Sequence, residues 1–441
     1  YAHFCKATGI PKTRVRAVAT SAIRDAANRD EFLSRARRAT GLDVQVLSRE
    51  EEARFGYLAA VNSTTLRDGV VLDLGGGSMQ AVCVKKRKAT KLESWPLGAI
   101  RMTERFLPGE EASKKQLKAL RKHVAAELES APWLLGTGGR LVGLGGTVRN
   151  LASAAQRRAS LPSPGVQGFV LTSDALADLE AELASRPAHK RGGVSGVKPG
   201  RAEVILAGTA VLRAVLEVGD FDGIEVTEAG LREGVFLSGH LAPADPPIVR
   251  DVREASVFNL AAQYHDELVH QEHVAHLALR IWDALERAGI HSGEDEEREL
   301  LWAAAMLHDV GMAIDYDDHH KHSRYLILSA GLPGFSPREV ALVAQIARYH
   351  RKGDPGFGEL SPLMRDGDEA LLRRCAALLR VVEQLERSRE QIVRDVRVQA
   401  RNGHVQLKLI GEGDLSVARW GARRQADVFE HAFRRELEVA A

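Results

Sequence analysis

The residues Val70-Val71-Leu72-Asp73-Leu74-Gly75-Gly76-Gly77-Ser78 combine side-chain and backbone types that can hold a phosphate. The apolar run reads as a buried strand, and three glycines and a serine follow at once. Glycine permits close backbone approach and positive φ. Successive N–H groups can then form a concave anion nest, with the Ser78 hydroxyl as a further donor. Asp73, at the strand end, is placed to hold a metal ion that neutralises phosphate oxygens. The loop is not of the G-x-x-x-x-G-K-[ST] type, because no lysine follows the serine. A glycine-rich hairpin turn is the alternative reading. Arg140 to Asn150 repeats the design: an apolar strand, Gly143, Gly145 and Gly146, the hydroxyl of Thr147, then a helix-like run. The N-terminal amides of a helix beginning near Thr147 would add donors for an anion. Thr147 as a plain helix cap is the alternative. Two such loops are expected to form two walls of one cleft.

Strands and helices alternate around these loops. Val15–Ala19 and Val44–Leu47 read as strands, with helices over Arg24–Ala27 and Asp30–Thr40, the second closed by Gly41. Ser48-Arg49-Glu50-Glu51 is a capping box that opens a further helix. Its acids also favour the helix macrodipole simply by position. Ala81–Val84 is a strand, with Lys85-Lys86-Arg87-Lys88 as its turn. Leu117, Leu120, Val124 and Leu128 share one side of a helix over Ser113–Ser130. Leu161-Pro162-Ser163-Pro164-Gly165 is a loop, Arg201–Leu216 a helix, Gly223–Val226 a strand, and Gly230 to Gly234 opens the last helix of this half. Such alternation argues for an α/β fold. Ala242-Pro243-Ala244-Asp245-Pro246-Pro247 is a linker. Residues 251–392 beyond it are helix-patterned and rich in histidine. Val396, Val398, Val405, Leu407 and Leu409 flank Asn402-Gly403, a hairpin signal, and a final helix carries Phe429 and Phe433.

A chain of 441 residues allows two to four domains and a sizeable core. A net charge of +2 gives no global polyanion signal, so any anion recognition must be local. The basic runs at 85–88 and around Lys114, Lys115, Lys118, Arg121 and Lys122 read as solvated faces. Cys5, Cys83 and Cys375 lie far apart, which fits a reducing cytoplasm and argues against a disulfide scaffold or zinc ribbon. No apolar run reaches membrane-spanning length, and no signal peptide is visible.

Several motifs together resemble the exopolyphosphatase and guanosine pentaphosphate phosphohydrolase family, in its long form with an HD-like helical C-terminal domain. They are Val18-Ala19-Thr20-Ser21-Ala22-Ile23-Arg24, Ser48 to Arg54, the Asp73–Ser78 loop, Gly143 to Thr147 and Thr227 to Gly234. Leu307-His308-Asp309-Val310-Gly311, His320-Lys321-His322-Ser323 and Arg348-Tyr349-His350-Arg351-Lys352 follow in the helical half. The resemblance spans essentially the whole chain. It implies an actin, Hsp70 and sugar-kinase-like two-lobed α/β fold: residues 1–66 as the remainder of the first lobe and 67–241 as the second. Residues 251–392 would form the all-α HD-like domain and 393–441 a small α+β region. The family's first phosphate loop, of pattern D-x-G-S-N-S, has no match here, and residues preceding Tyr1 are expected.

The resemblance implies roles. Glu52 aligns with the catalytic glutamate and would orient the attacking water. Asp73 resembles the metal-linked aspartate, and with Glu52 would hold Mg²⁺, or Mn²⁺ in its place. Arg24 matches a phosphate-contacting arginine, a task suited to a planar guanidinium. Gly75, Gly76, Gly77 and Ser78 would cradle the phosphate being cleaved, and Gly145, Gly146 and Thr147 its other side. His270, His308-Asp309 and Glu383, which replaces an aspartate, resemble the H…HD…D order of HD-type metal phosphohydrolases. His322 and His350 could extend that set to two metals, and such ligands suit Zn, Mn or Fe. The preferred alternative is a basic passage for a long polyanion, lined by His320, Lys321, His322, Arg324, Arg348, His350, Arg351 and Lys352.

The expected activity is cytoplasmic exopolyphosphatase. Terminal phosphate would leave inorganic polyphosphate by Mg²⁺-assisted in-line attack of water, with guanosine pentaphosphate as a second substrate. No nucleic acid or membrane partner is expected, and a homodimer is. The rivals are a guanosine pentaphosphate phosphohydrolase, an ATP-dependent kinase on the same fold, a non-catalytic sensor of polyphosphate or alarmone, and chemistry in the HD-like domain.

Overall fold

The structure, a computed structural model, describes residues 2–162, 165–264, 268–401 and 403–440. The Ser163-Pro164 part of the expected loop and Asn402 of the expected hairpin lie outside the described residues. The chain forms two compact units: residues 1–159 with 168–250, and residues 251–441 with 160–167.

The first unit is built on a mixed six-stranded sheet. Its strands are β3 (Gly69–Leu74), β4 (Met79–Lys85), β5 (Lys88–Trp95), β6 (Leu141–Leu144), β7 (Val170–Thr172) and β8 (Gly223–Val226), in the order β5-β4-β3-β6-β8-β7. β3, β4 and β5 form an antiparallel meander. β6 runs parallel to β3 and β8 parallel to β6, whereas β7 is antiparallel to β8. Val70, Val71 and Leu72 are all buried, so both faces of β3 are covered, as a continuous apolar run requires. The 85–88 run does form the β4–β5 turn. Lys86 and Arg87 take positive φ, and Arg87 is held by donation to the Val61 and Val249 carbonyls, each at 2.9 Å. A smaller parallel pair, β1 (Ala17–Ala19) and β2 (Val44–Val46), is joined through the helix Arg29–Thr40.

Local chemistry sets several helix ends. Ser48 and Ser113 each close the expected capping box, and Gly41 ends its helix at φ +69°. The expected 201–216 helix instead starts at Ile205, after a 3₁₀ turn over Pro199–Arg201 that proline is suited to open.

The second unit packs the helices Val252–Ala262, Val269–Arg287, Asp295–Leu307, His319–Ala330, Pro337–Arg348 and Asp368–Leu385. A three-stranded sheet follows, β9 (Val393–Arg401), β10 (His404–Gly411) and β11 (Glu436–Ala440), ordered β11-β10-β9. β9 and β10 are antiparallel, as the alternating valines and leucines require, while β11 pairs parallel to β10. One hydrophobic core, including Trp282, Phe335, Val396, Leu407 and Phe429, runs through the helices and this sheet. No described helix is long and apolar enough to cross a membrane.

Candidate functional sites

In the first unit, β3 and β6 lie side by side in parallel, with Asp73 paired to Leu144. Their following loops, Gly75–Ser78 and Gly145–Thr147, therefore emerge together at the carboxyl ends of adjacent strands. That is where open α/β sheets leave room for ligands. The loops are neighbours on one edge of the sheet. A Cβ on Gly145 would lie 2.6 Å from the Leu74 carbonyl and 3.2 Å from Asp73 Oδ1.

The first loop differs from the simple nest. Gly75, Gly76 and Gly77 do not take positive φ. They are glycines for want of space: a Cβ would meet the Ser78 carbonyl at 3.2 Å, Ile100 Cδ1 at 2.9 Å and Ser21 Oγ at 2.7 Å, respectively. The Gly75 N–H is spent on the Ser78 carbonyl at 3.0 Å. Among the described residues no acceptor takes the N–H groups of Gly76, Gly77 and Ser78, which leaves three donors for an anion. The loop carbonyls are tied back. Gly75 and Gly76 accept from Ala99, Ile100 and Arg101 at the start of the helix Ala99–Phe106, and Arg101 Nε donates to the Gly77 carbonyl at 3.1 Å.

The second loop supplies the positive φ, at Gly145 (+99°), which is the N-cap of the helix Gly146–Arg158. Thr147 is thus inside the first turn rather than its cap. Its Oγ1 is buried without a partner, a donor reserved at an orphan helix N-terminus. Arg201 overlies that terminus: a Cβ on Gly146 would lie 2.4 Å from its Nη2.

Glu52 lies on the helix Arg49–Val61, one turn before Gly56 on the same face. That face looks onto Asp73, since a Cβ on Gly56 would lie 3.5 Å from Asp73 Oδ2. The two carboxylates feel each other. Burial and the Glu52 charge raise the Asp73 pKa to about 6, with Arg149 pulling the other way. No hydrogen bond contributes to that balance, so a buried acid pair without a donor on Asp73 fits a divalent cation. Ser78 Oγ donates to Glu52 Oε1 at 3.4 Å and accepts from Gln80 at 2.8 Å. Arg24 Nη1 donates to Glu52 Oε2 at 2.8 Å and to the Leu47 carbonyl at 2.9 Å. Its visible work is thus to hold the glutamate. Glu51 is occupied by the capping box and by Gln45. The structure therefore brings Arg24, Glu52, Asp73, Ser78 and both glycine loops together. Arg101, Arg149 and Arg201 belong with them but carry no local sequence signal.

The second unit holds a different cluster. Asp309, buried just after the helix Asp295–Leu307, is ringed by histidines from four segments. Its Oδ1 lies 3.6 Å from His308 Nε2, 3.3 Å from His319 Nε2 and 3.9 Å from His350 Nε2, and its Oδ2 lies 3.8 Å from His270 Nε2. Glu383 Oε2 approaches His308 Nε2 at 3.2 Å and His270 Nε2 at 3.6 Å. The four residues expected as one ligand set, His270, His308, Asp309 and Glu383, do converge. Burial opposes a charge on His308, but Asp309 and Glu383 outweigh it and lift its pKa to about 9. Burial and the neighbouring His308 charge hold His350 down at about 4.

Two expectations need correction. The histidine that joins His350 is His319, not His322. The helix His319–Ala330 turns His319 and Ser323 inward, where Ser323 bonds Gly311 and His308. The basic passage also loses two members. His320 and His350 are buried, and burial with Arg348 nearby pushes His320 to about 3, so neither offers a charge to solvent. Arg324 is committed to Gln345 and Glu359, Lys321 to Asp318, and Arg351 to the Asp317 carbonyl, while Lys352 lies 3.9 Å from Asp318. Arg348 stacks over Tyr349.

Two family models match this chain. The family model described as Ppx/GppA phosphatase matches residues 1–242, and that for Ppx/GppA phosphatase, domain III, matches 252–416. Similar solved structures include an Aquifex aeolicus Ppx/GppA family member at 33% identity, covering 55% of this chain and 78% of that one, with a TM-score of 0.49. An exopolyphosphatase from Cytophaga hutchinsonii is similar at 18% identity, covering 54% of this chain and 78% of that one, with a TM-score of 0.48. With the first model spanning more than half of its length, this chain belongs to the Ppx/GppA phosphatase family.

Proposed function

We propose that the first unit hydrolyses the terminal phosphoanhydride bond of inorganic polyphosphate, with the 5′-γ-phosphate of guanosine pentaphosphate as a second substrate. One observation carries this reading: Glu52, Asp73 and the unused N–H groups of Gly76, Gly77 and Ser78 share the carboxyl end of β3. Phosphoryl transfer needs positioning and charge stabilisation more than covalent chemistry. The loop N–H groups, the Gly146–Arg158 helix terminus and the hydroxyls of Ser78 and Thr147 bind the phosphate oxygens. Glu52, held by Arg24, accepts a proton from the attacking water. Asp73 and Glu52 are the residues that would hold Mg²⁺, or Mn²⁺, whose charge offsets that of the phosphates. We read the second unit as HD-like on its His270, His308-Asp309 and Glu383 order.

The test is phosphate release from polyphosphate and from guanosine pentaphosphate, with and without Mg²⁺. Release from either substrate that requires Mg²⁺ and is lost in Glu52→Gln, with polyphosphate binding retained, is the expected result. Tight, salt-sensitive binding without turnover would make the protein a sensor instead. Wild-type turnover in Glu52→Gln would remove Glu52 from the chemistry.

A further inference from the structure

The histidine cluster of the second unit poses a problem of proton counting. His308, His319 and His350 each point Nδ1 at a backbone carbonyl three residues earlier, of Ala305, Tyr316 and Ala347, all at 2.6 Å. A carbonyl only accepts, so each Nδ1 carries a proton. In the neutral ring Nε2 is then a bare lone pair. These lone pairs converge. His319 Nε2 and His350 Nε2 face each other at 3.0 Å, and two lone pairs at that distance repel unless a cation sits between or beside them. His308 Nε2 and both nitrogens of His270 are buried without a hydrogen-bond partner, as is Glu383 Oε2. An unsatisfied buried polar atom costs about 1–3 kcal/mol, and here several collect at one point. Metal-ligating histidines are commonly held in this way, with one ring N–H donated to a backbone carbonyl and the other nitrogen aimed at the metal.

The spacings agree. Metal–ligand bonds of about 2.0–2.1 Å place neighbouring ligand atoms about 2.9–3.4 Å apart. The contacts of 3.0 Å between His319 and His350, 3.2 Å between His308 and Glu383 and 3.3 Å between His319 and Asp309 fall in that range. Those of 3.6–3.9 Å, between His308 and Asp309, His270 and Glu383, His270 and Asp309, and His350 and Asp309, lie a few tenths beyond it. The ligand atoms form two groups, His270 with His308 and Asp309, and Asp309 with His319 and His350. Asp309 is common to both: its Oδ2 faces His270, and its Oδ1 faces His308, His319 and His350.

We propose that the second unit carries a two-ion transition-metal centre, in which Asp309 bridges one ion held by His270, His308 and Glu383 and a second held by His319 and His350. Mixed imidazole and carboxylate ligands select Mn, Fe or Zn over Mg. Arg389 pairs with Asp309 Oδ2 at 2.5 Å and so competes with the first ion for that oxygen. The centre is independent of the phosphate loops of the first unit and stands or falls without them.

The decisive measurement is metal content by plasma mass spectrometry on the full chain, after incubation with Mn²⁺, Fe²⁺ or Zn²⁺ and dialysis against excess Mg²⁺. About two ions per chain are expected for the wild type, about one for His319→Gln and none for Asp309→Asn. His322→Gln should match the wild type. Circular dichroism reports whether each variant is folded, and His319→Gln decides alone if Asp309→Asn is not. Arg389→Ala should retain both ions and release them more slowly to a chelator. A metal-free wild type, or His319→Gln with unchanged content, overturns the proposal. The cluster would then be a buried ion-pair network whose His319–His350 contact is closed by a proton.

Discussion

The two units gather ligand-binding groups by opposite means. The first uses backbone: N–H groups of short glycine loops, set by the ends of two parallel strands, with one acid on the strand and one on a helix. The second uses side chains alone, carried by helices and their ends that are distant in sequence. A backbone site is contiguous in sequence and tolerates few side chains near it. A side-chain site is dispersed, and its members are chosen by which way each helix faces. The first suits an anion, and the second suits cations.

The largest expected effect separates the two directly. Glu52→Gln should lower the rate of phosphate release by about 10²–10⁴-fold, the usual range for losing a general base, with metal content in the second unit unchanged. Equal loss of both properties would join what the comparison keeps apart. Next, Gly145→Ala strains the φ +99° backbone and drives a methyl toward the Leu74 carbonyl and Asp73. A cost of about 1–3 kcal/mol is expected, read as a lowered midpoint in chemical denaturation together with weaker phosphate binding. The matching lesion in the second unit is Ser323→Ala. Ser323 Oγ accepts from the Gly311 N–H at 3.0 Å and donates to the His308 carbonyl at 2.6 Å. Its removal should cost about 1–3 kcal/mol and lower metal content while sparing phosphate release.

The smallest effect is a pH dependence. His291 lies against Trp282, donates from Nε2 to the Trp282 carbonyl at 3.0 Å and accepts at Nδ1 from the Gly293 N–H at 3.1 Å. Acceptance at Nδ1 needs the neutral ring. Burial lowers its pKa and Arg374 acts in the same direction, against the opposing bond to the Trp282 carbonyl and the charges of Glu286 and Asp283. The unfolded chain therefore takes up this proton first as pH falls below about 6.5. Stability from His291 is present above that pH and is lost as pH falls through the folded value. The melting temperature of the wild type should drop more steeply between pH 7 and pH 5 than that of His291→Gln. Parallel curves would show that His291 contributes nothing.

Much of the first unit was legible because its signals are local. A capping box is decided within four residues, so Ser48 and Ser113 could be read directly. Asp73 with its loop is a single contiguous motif. Which glycine takes positive φ was not local: Gly145 does so where the Leu74 carbonyl crowds it, and Gly76 and Gly77 are constrained instead by Ile100 and Ser21. Arg24 was expected, by resemblance, to contact phosphate, and only packing shows it bonded to Glu52. Arg149 follows Thr147 by two residues and Arg201 ends a 3₁₀ turn, and neither position by itself signals that its side chain reaches the site. β11 went unread because its partner, β10, lies beyond two intervening helices.

The amino-acid sequence by itself determined where strands yield to glycine loops, which helices begin and end, and that histidines and acids crowd the second half. Hydrophobic period, capping chemistry and backbone permissiveness act over a few residues, and a linear reading captures them. Tertiary structure alone decided that His319 rather than His322 meets His350 beside Asp309, and that the helix face carrying Glu52 looks onto Asp73. Adjacent residues on a helix point about 100° apart. Which of them turns inward is chosen by the surface the helix packs against, and that surface is supplied by distant parts of the chain.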